Sequence, residues 1–131
     1  MNFAYTLLYV PDVAASLAFF DKAFGLKTRF LHESGAYGEV DTGAGGTKLA
    51  FVDHATARDS VQHDYVAASS STQPLGMEIA FTVPDVQAAY DRAVAAGARA
   101  LAAPVTKPWG QTVAYVRCPD GGLVELCTAM G

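Results

Sequence analysis

The chain has 131 residues, a length typical of one domain, and its 51% hydrophobic content is enough to form a core and exclude wholesale disorder. Nine basic against thirteen acidic residues give a net charge of −4. Proteins that bind a phosphate backbone or an anionic membrane carry the opposite balance, so we expect neither nucleic acid nor membrane as a partner.

The first apolar run, residues 3–10, is too short to cross a bilayer and ends at Pro11. No basic region precedes it and no small-residue cleavage site follows, as a signal peptide would require. We expect it to be a strand, and we expect the protein in the cytoplasm because no targeting signal is recognised.

A helical pattern follows this strand. Apolar residues recur at helical spacing at Val13, Leu17, Phe20 and Phe24. Asp12 is a good N-cap, and Gly25 suits the left-handed position that closes a helix. The pattern predicts a helix from Val13 to Phe24.

Three short strand patterns come next, at residues 27–33, 36–41 and 47–53. A Gly-rich segment at 42–46 reads as a loose hairpin loop. Residues 55–74 are rich in Ala, Ser and Thr and end at Pro74, so they predict a long connection with at most a turn of helix between residues 54 and 65.

The chain then repeats itself. Val10-Pro11-Asp12-Val13 recurs as Val83-Pro84-Asp85-Val86, with a strand pattern at 76–83 before it. A helical stripe follows at Val86, Tyr90, Ala93 and Gly97. Strands are predicted at 98–102, 111–117 and 123–128, the last two joined by a tight turn at 119–122. Each half is therefore β-α-β-β-β. We predict one α+β domain with module one at 1–54, a linker at 55–74 and module two at 75–131.

The two cysteines, Cys118 and Cys127, lie on the two strands of the predicted final hairpin. In the predicted register, Cys127 is opposite a residue near Ala114, which places the cysteines about 13 Å apart along the ladder. A disulfide needs Cα atoms within about 7 Å. We therefore expect two free thiols, with Cys118 buried.

Two tandem modules of this kind resemble the vicinal oxygen chelate superfamily, which includes glyoxalase, extradiol dioxygenases and the bleomycin- and mitomycin-binding resistance proteins. The resemblance is carried by residues 7–13, 19–26 and 119–126, although Cys118 stands where an Asp usually precedes the last turn. It implies two half-barrels that form a cup, and chains that commonly pair as homodimers.

The resemblance also implies four positions where metal-dependent members place their ligands: Tyr5, Ala50, Glu78 and Glu125. Alanine offers no donor, and tyrosine is a poor ligand at neutral pH because its pKa is near 10. Two carboxylates are fewer than the three or four donors that a divalent transition metal needs. We expect no cofactor, with a divalent metal held by Glu78 and Glu125 as the alternative.

The histidines do not add to this donor set. His32 ends a strand, and His54 and His63 lie at or in the linker, with no paired spacing typical of a metal site. We expect each of them to be exposed or hydrogen-bonded locally.

Strand alternation places Tyr5, Glu78 and Glu125 in one half-enclosed space if the cup forms. Two carboxylates there would raise one pKa through repulsion and desolvation, which suits acid–base chemistry or polar recognition. The alternative is a rim position, where either glutamate is solvated or paired with Lys or Arg.

The only tryptophan, Trp109, lies between Pro108 and Gly110 just before a predicted strand. It resembles the Trp-Gly segment of the drug-binding members, which implies stacking on a planar ligand. The alternatives are a dimer interface or the core edge. Tyr37, Phe51 and Tyr115 are further aromatic candidates, for each of which the core is the favoured location.

We therefore predict that the protein binds a small, partly planar organic molecule in a metal-free cup at a homodimer interface. The predicted ligand-binding residues are Tyr5, Glu78, Trp109, Tyr115 and Glu125. Whether turnover follows binding is open at this point. The alternatives are a metal-dependent lyase or isomerase resembling lactoylglutathione lyase, a dioxygenase, and a degenerate module that serves oligomerisation.

Overall fold

The computed structural model describes residues 1–130. It contains two four-stranded sheets, each packed against a helix. The elements of module one are β1 (Tyr5–Val10), α1 (Val13–Phe24), β2 (Thr28–Leu31), β3 (Tyr37–Val40) and β4 (Lys48–Asp53). The linker contains α2 (His54–Val61) and a 3-10 turn (Ala68–Ser70). The elements of module two are β5 (Ile79–Thr82), α3 (Val86–Ala95), β6 (Arg99–Thr106), β7 (Thr112–Arg117) and β8 (Leu123–Cys127).

The two sheets have the same topology. Their strand orders are β1-β4-β3-β2 and β5-β8-β7-β6, and in each sheet the first and last strands of the module run parallel while the other pairs are antiparallel. The predicted α+β fold of two tandem β-α-β-β-β modules is confirmed.

The repeated Pro-Asp motif begins both long helices in the same way. The Asp12 carboxylate accepts a hydrogen bond of 3.0 Å from the Ala15 N–H, and the Asp85 carboxylate accepts one of 3.0 Å from the Ala88 N–H. Each bond satisfies a backbone donor that the first helical turn leaves free. Gly25 follows α1 at φ +71°, in the left-handed region that glycine adopts without strain.

One hydrophobic core connects the two modules. Phe20 of α1 is buried, and its ring centroid lies 4.9 Å from that of Phe51 in module one and 6.4 Å from that of Phe81 in module two. Gly38 of β3 lies directly under α1, where an added Cβ would be 2.7 Å from Leu17 Cδ1. Helix α1 therefore packs tightly on the first sheet and contacts both modules through the core.

The linker is more ordered than its composition predicts. Asp53 caps α2 by accepting a 2.8 Å hydrogen bond from the Thr56 N–H, and Ala57 is buried, so the segment forms a helix of 8 residues where we predicted at most one turn. The strand predicted at 98–102 is present but longer than expected, because the pairing of β6 with β7 continues to Thr106, past two irregularities in register.

Long-range contacts hold the rest of the linker on module two. The Arg117 guanidinium donates hydrogen bonds of 2.9 Å to the carbonyl oxygens of Ala68 and Ser71. Gly121 packs against the Ala68 carbonyl so closely that any Cβ would collide with it. The linker therefore passes over one end of the second sheet in a defined path.

Other details correct or support the strand assignments. Met77, just before β5, is exposed. Cys127 is opposite Val113, one residue from the predicted register. Cys118 and Cys127 are both buried and unpaired, as expected. Within residues 1–130, no helix has the length and apolar character needed to cross a membrane.

Candidate functional site

Two carboxyl groups meet on the open face of the second sheet. Glu125 of β8 is the register partner of Ala80 in the parallel neighbour β5, and Glu78 precedes Ala80 by two residues, so both glutamates lie on one face. Their carboxyl groups are close enough that each shifts the pKa of the other. Two neighbouring carboxylates repel each other, so the pair is expected to hold one proton.

The surroundings decide which carboxyl carries that proton. The hydrogen bond to Glu125, together with burial and the negative charge of Glu125, raises the pKa of Glu78 to about 7. Hydrogen bonding to Glu78 lowers the pKa of Glu125, with the hydrogen bond from Tyr115 and the charge of Lys107 acting in the same direction. Glu125 is therefore the anion, and Glu78 is a neutral acid up to about neutral pH.

Tyr115 and Cys127 complete the polar cluster. Tyr115 is directly opposite Glu125, and its hydroxyl donates a 3.1 Å hydrogen bond to Glu125 Oε1. Burial, followed by the hydrogen bond to Glu125 and its charge, raises the pKa of both Tyr115 and Cys127. A thiol with a raised pKa is a poor nucleophile. Cys127 was not among the predicted site residues, although its position two residues after Glu125 places it on the same strand face.

Trp109 stands at the rim of this face. The indole Nε1–H donates a 3.1 Å hydrogen bond to Gln111 Oε1, and Gln111 Nε2 donates one of 3.0 Å to the carbonyl oxygen of Thr128. Gln111 also partly offsets the raised pKa of the Cys127 thiol, which donates a 3.6 Å hydrogen bond to the carbonyl oxygen of Phe81. The Trp109 ring itself is 66% exposed. It is therefore anchored by its nitrogen, with its surface available for stacking.

Tyr5 belongs to a different cluster on the first sheet. Its neighbour Tyr37 donates a 2.6 Å hydrogen bond to Glu39, a buried carboxylate that also lies 3.2 Å from Lys48 Nζ and 3.9 Å from Arg29 Nε. Burial, then the hydrogen bond and charge of Glu39, raises the pKa of Tyr37 to about 12. The charged members of this cluster were missed, although alternation along β3 places Tyr37 and Glu39 on one face.

The Tyr37 hydroxyl lowers the pKa of Glu39, as do the positive charges of Lys48 and Arg29.

The groups that act on the pKa of Glu78, in contrast, all belong to module two. Within one chain, the structure thus brings Glu78, Glu125 and Tyr115 together and leaves Tyr5 with the first sheet. Phe51 is fully buried in the core.

The side chains around the acidic pair do not supply the donor set of a metal centre. Ala50 occupies the place in the first sheet that Glu125 occupies in the second, because its register partners Leu7 and Glu39 match Ala80 and Tyr115. Its methyl group offers no ligand. Across residues 1–130, no three His, Cys, Asp or Glu side chains are grouped to hold a metal ion. A divalent transition metal needs three or four donors, so the residues of one chain do not fit it.

The histidines make local hydrogen bonds instead. The Nδ1 atoms of His32, His54 and His63 lie within 2.8 Å of the Ser34 hydroxyl, 2.6 Å of the Tyr65 hydroxyl and 2.6 Å of the Asp64 carbonyl oxygen, respectively. This agrees with the local bonding expected from their positions in the sequence.

A cavity of about 500 Å³ lies beside the acidic pair, between β1, the linker and the adjoining ends of β5 and β8. Its walls are mainly apolar and include Leu7, Tyr9, Tyr65, Met77 and Leu123. Glu78 is an acidic residue that also lines the cavity. This volume and character are typical of a pocket for a small organic ligand. Glu78 therefore borders both the polar cluster and the cavity.

Comparison with known proteins places this architecture in a family. The family model described as Glyoxalase/Bleomycin resistance protein/Dioxygenase superfamily matches residues 2–126. A glyoxalase-related enzyme from Fulvimarina pelagi is similar in structure, with a TM-score of 0.82, 24% identity, and coverage of 98% of this chain and 88% of that one.

Other solved structures are similar over nearly their whole length. A glyoxalase/bleomycin resistance protein/dioxygenase family enzyme from Burkholderia phytofirmans PsJN has a TM-score of 0.75 and 23% identity, covering 95% of this chain and 96% of that one. TioX from Micromonospora sp. ML1 has a TM-score of 0.70 and 20% identity, covering 98% of each chain. No curated protein sequence gives a significant match. The chain belongs to the glyoxalase/bleomycin resistance protein/dioxygenase superfamily.

Proposed function

We propose that the protein binds a small, partly planar organic molecule directly, without a metal ion, next to Glu78 and Glu125. The observation that carries this proposal is the placement of two glutamates on one strand face, with Tyr115 donating to Glu125 and Glu78 lining the cavity. The raised pKa of Glu78 makes it a neutral acid beside a carboxylate, so the pair offers a ligand one donor and one acceptor side by side.

Such a pair selects a ligand by its hydrogen-bonding pattern. The Glu78 acid donates to a carbonyl or ring nitrogen, and the Glu125 carboxylate accepts from an N–H or O–H group next to it. Planar amides, imides and heteroaromatic rings carry both groups in one plane. The exposed Trp109 ring supplies a stacking surface worth on the order of 1 kcal/mol beyond area burial. Tyr115 reinforces the anionic state of Glu125.

We propose further that the functional unit is a homodimer, in which the first sheet of one chain faces the second sheet of its partner. The exposure of Tyr5 and Trp109, at 52% and 66%, supports this arrangement, since both are large side chains on the open sides of the sheets. It would bring Tyr5 towards the acidic pair of the other chain. We retain the cytoplasm as the proposed compartment, which the two unpaired cysteines support.

Fluorescence of the only tryptophan tests the binding proposal. Planar heteroaromatic compounds that bind should quench Trp109 saturably, and calorimetry should confirm their affinity. Glu125→Ala should weaken binding by about tenfold or more, the loss expected for one charge-assisted hydrogen bond. Glu33→Ala, in an exposed turn, is the matched control and should bind as the wild type does. Absence of quenching across a broad panel would contradict the stacking role, and mass spectrometry of bound compounds would reveal turnover.

A metal-dependent lyase, isomerase or dioxygenase is the second candidate, because the convergent carboxylates occupy two of the ligand positions implied by the family resemblance. On this account a cation would replace the shared proton and would recruit further donors from a partner chain or from the substrate. Stoichiometric retention of Ni²⁺, Zn²⁺ or Mn²⁺ after dialysis, lost in Glu125→Ala, would favour it. If instead Trp109→Ala changed dimerisation while no variant changed ligand binding, the role in oligomerisation would be favoured.

A further inference from the structure

Two arginines face each other at the end of the second sheet where β6 begins and β7 ends. Arg99 of β6 and Arg117 of β7 are register partners in an antiparallel pair, so their side chains leave the same face of the sheet. Like charges in directly opposed positions destabilise a sheet. Within residues 1–130, neither guanidinium has a carboxylate within 4.0 Å. In a chain of net charge −4, this uncompensated pair of cations is unusual.

The arginines line a depression of about 410 Å³ whose other polar walls are hydroxyl groups. Ser69, Ser71 and Thr72 of the linker close one side of it. The remaining lining residues are Gly97, Cys118, Pro119 and Gly121, and none of the lining residues is acidic. The nearest acid in sequence, Asp120, is engaged elsewhere, because its carboxylate accepts hydrogen bonds from the Ser16 hydroxyl and the Gly122 N–H.

The two arginines differ in the hydrogen bonds that their side chains make within the chain. Arg117 is half-buried and donates to the Ser71 hydroxyl and to carbonyl oxygens of the linker and of Gly121, which fixes its guanidinium without neutralising the charge. Arg99 has no side-chain hydrogen bond within the described residues and is exposed. One fixed cation and one free cation on the same face are suited to a ligand that carries two or more oxygen acceptors.

We propose that this depression is a binding site for an oxyanion, a phosphate or a carboxylate, held between Arg99 and Arg117 with the Ser69 and Thr72 hydroxyls as additional donors. It lies on the same face of β7 as Tyr115, since Arg117 follows Tyr115 by two residues. It does not depend on the ligand proposed for the acidic pair, because it uses none of the same side chains.

Titration with sodium sulfate, sodium phosphate and sodium acetate at constant ionic strength tests the site, read out by backbone amide chemical shifts in NMR. We expect saturable shifts at residues 69–72 and 99. Sulfate and phosphate without acetate would assign the site to tetrahedral anions, and acetate alone to carboxylates. Arg99→Gln should weaken binding about tenfold or more. Lys22→Gln removes the same charge from an exposed position on α1, outside the depression, and should bind as the wild type does.

Shifts that do not saturate, or that are equal with sodium chloride, would overturn the proposal. So would an Arg99→Gln variant that binds all three anions with wild-type affinity. Quenching of Trp109 by planar compounds is measured separately, so failure at one site is distinguishable from failure at the other.

Discussion

Glu78 and Glu125 lie on one face of the second sheet, Glu125 opposite Ala80 and Glu78 two residues before Ala80, and each shifts the pKa of the other. The Glu125 carboxylate accepts a 3.1 Å hydrogen bond from the Tyr115 hydroxyl, which stabilises its negative charge. Glu78 lacks such a donor and borders an apolar cavity. The asymmetry makes one residue the acid and the other the anion, although both are glutamates.

The first prediction concerns the titration of this pair. In ¹³C NMR of the side-chain carboxyl carbons, Glu78 should titrate near the pKa of about 7 that its partner imposes. Glu125→Gln removes the negative charge and should return Glu78 towards its usual range. Glu33→Gln, in an exposed turn, should leave Glu78 unchanged. A wild-type Glu78 that titrates like an ordinary exposed glutamate would contradict the shared proton.

The second prediction follows from linkage between protonation and folding. The folded pKa of Glu78 is raised, so its favourable contribution to stability is present below its unfolded pKa and is lost as the pH rises through about 7. Glu78→Gln cannot ionise and should not show this loss. Because Glu78 is exposed, the difference should be modest, below about 1 kcal/mol. Urea unfolding at about pH 5 and about pH 8 measures it, and parallel pH profiles of the two proteins would argue against it.

The third prediction concerns the contact between α1 and the first sheet. Gly38→Ala forces a methyl group to within 2.7 Å of Leu17 Cδ1 and 3.0 Å of Val13 Cγ1, both in the core. We expect it to reduce the free energy of unfolding by about 1–3 kcal/mol. At Gly76 an added Cβ meets nothing within 4 Å, so Gly76→Ala is a matched control without a clash. Equal stability of the two variants in urea would be inconsistent with the packing described.

The fourth prediction compares how much the two arginines at the end of the second sheet contribute to stability. Arg117→Ala removes the hydrogen bonds that fasten the linker and should destabilise the protein by about 2 kcal/mol in urea. Arg99→Ala removes an exposed side chain opposite a like charge, so stability should stay within about 0.5 kcal/mol of the wild type. The reverse order of effects would contradict the structural role assigned to Arg117.

The fifth prediction distinguishes a binding residue from a core residue. Trp109 is 66% exposed, so Trp109→Ala should change the free energy of unfolding by less than about 0.5 kcal/mol while abolishing stacking on a planar ligand. Phe20→Ala, in contrast, should cost about 3–5 kcal/mol because Phe20 is 1% exposed at the junction of the two modules. A large loss of stability in Trp109→Ala would indicate a structural role.

Local signals explain what could be predicted from the sequence. The caps Asp12 and Asp85 act within three residues, so the two modules were recognised from short motifs. The path of the linker was not predicted, because it depends on Arg117, which lies 49 residues from the Ala68 carbonyl that it binds. The separation of Tyr5 from the acidic pair likewise depends on how α1 and α3 join the modules, and strand alternation carries no information about that packing.

The measurement that tests the central claim most directly is metal content after equilibrium dialysis of the wild-type protein against Ni²⁺, Zn²⁺ or Mn²⁺. Ala50 and a proton-sharing Glu78–Glu125 pair offer too few ligands, so retention should be far below one ion per chain and equal to that of Glu125→Gln. One ion per chain in the wild type, absent from Glu125→Gln, would contradict direct recognition of an organic ligand by these carboxyl groups.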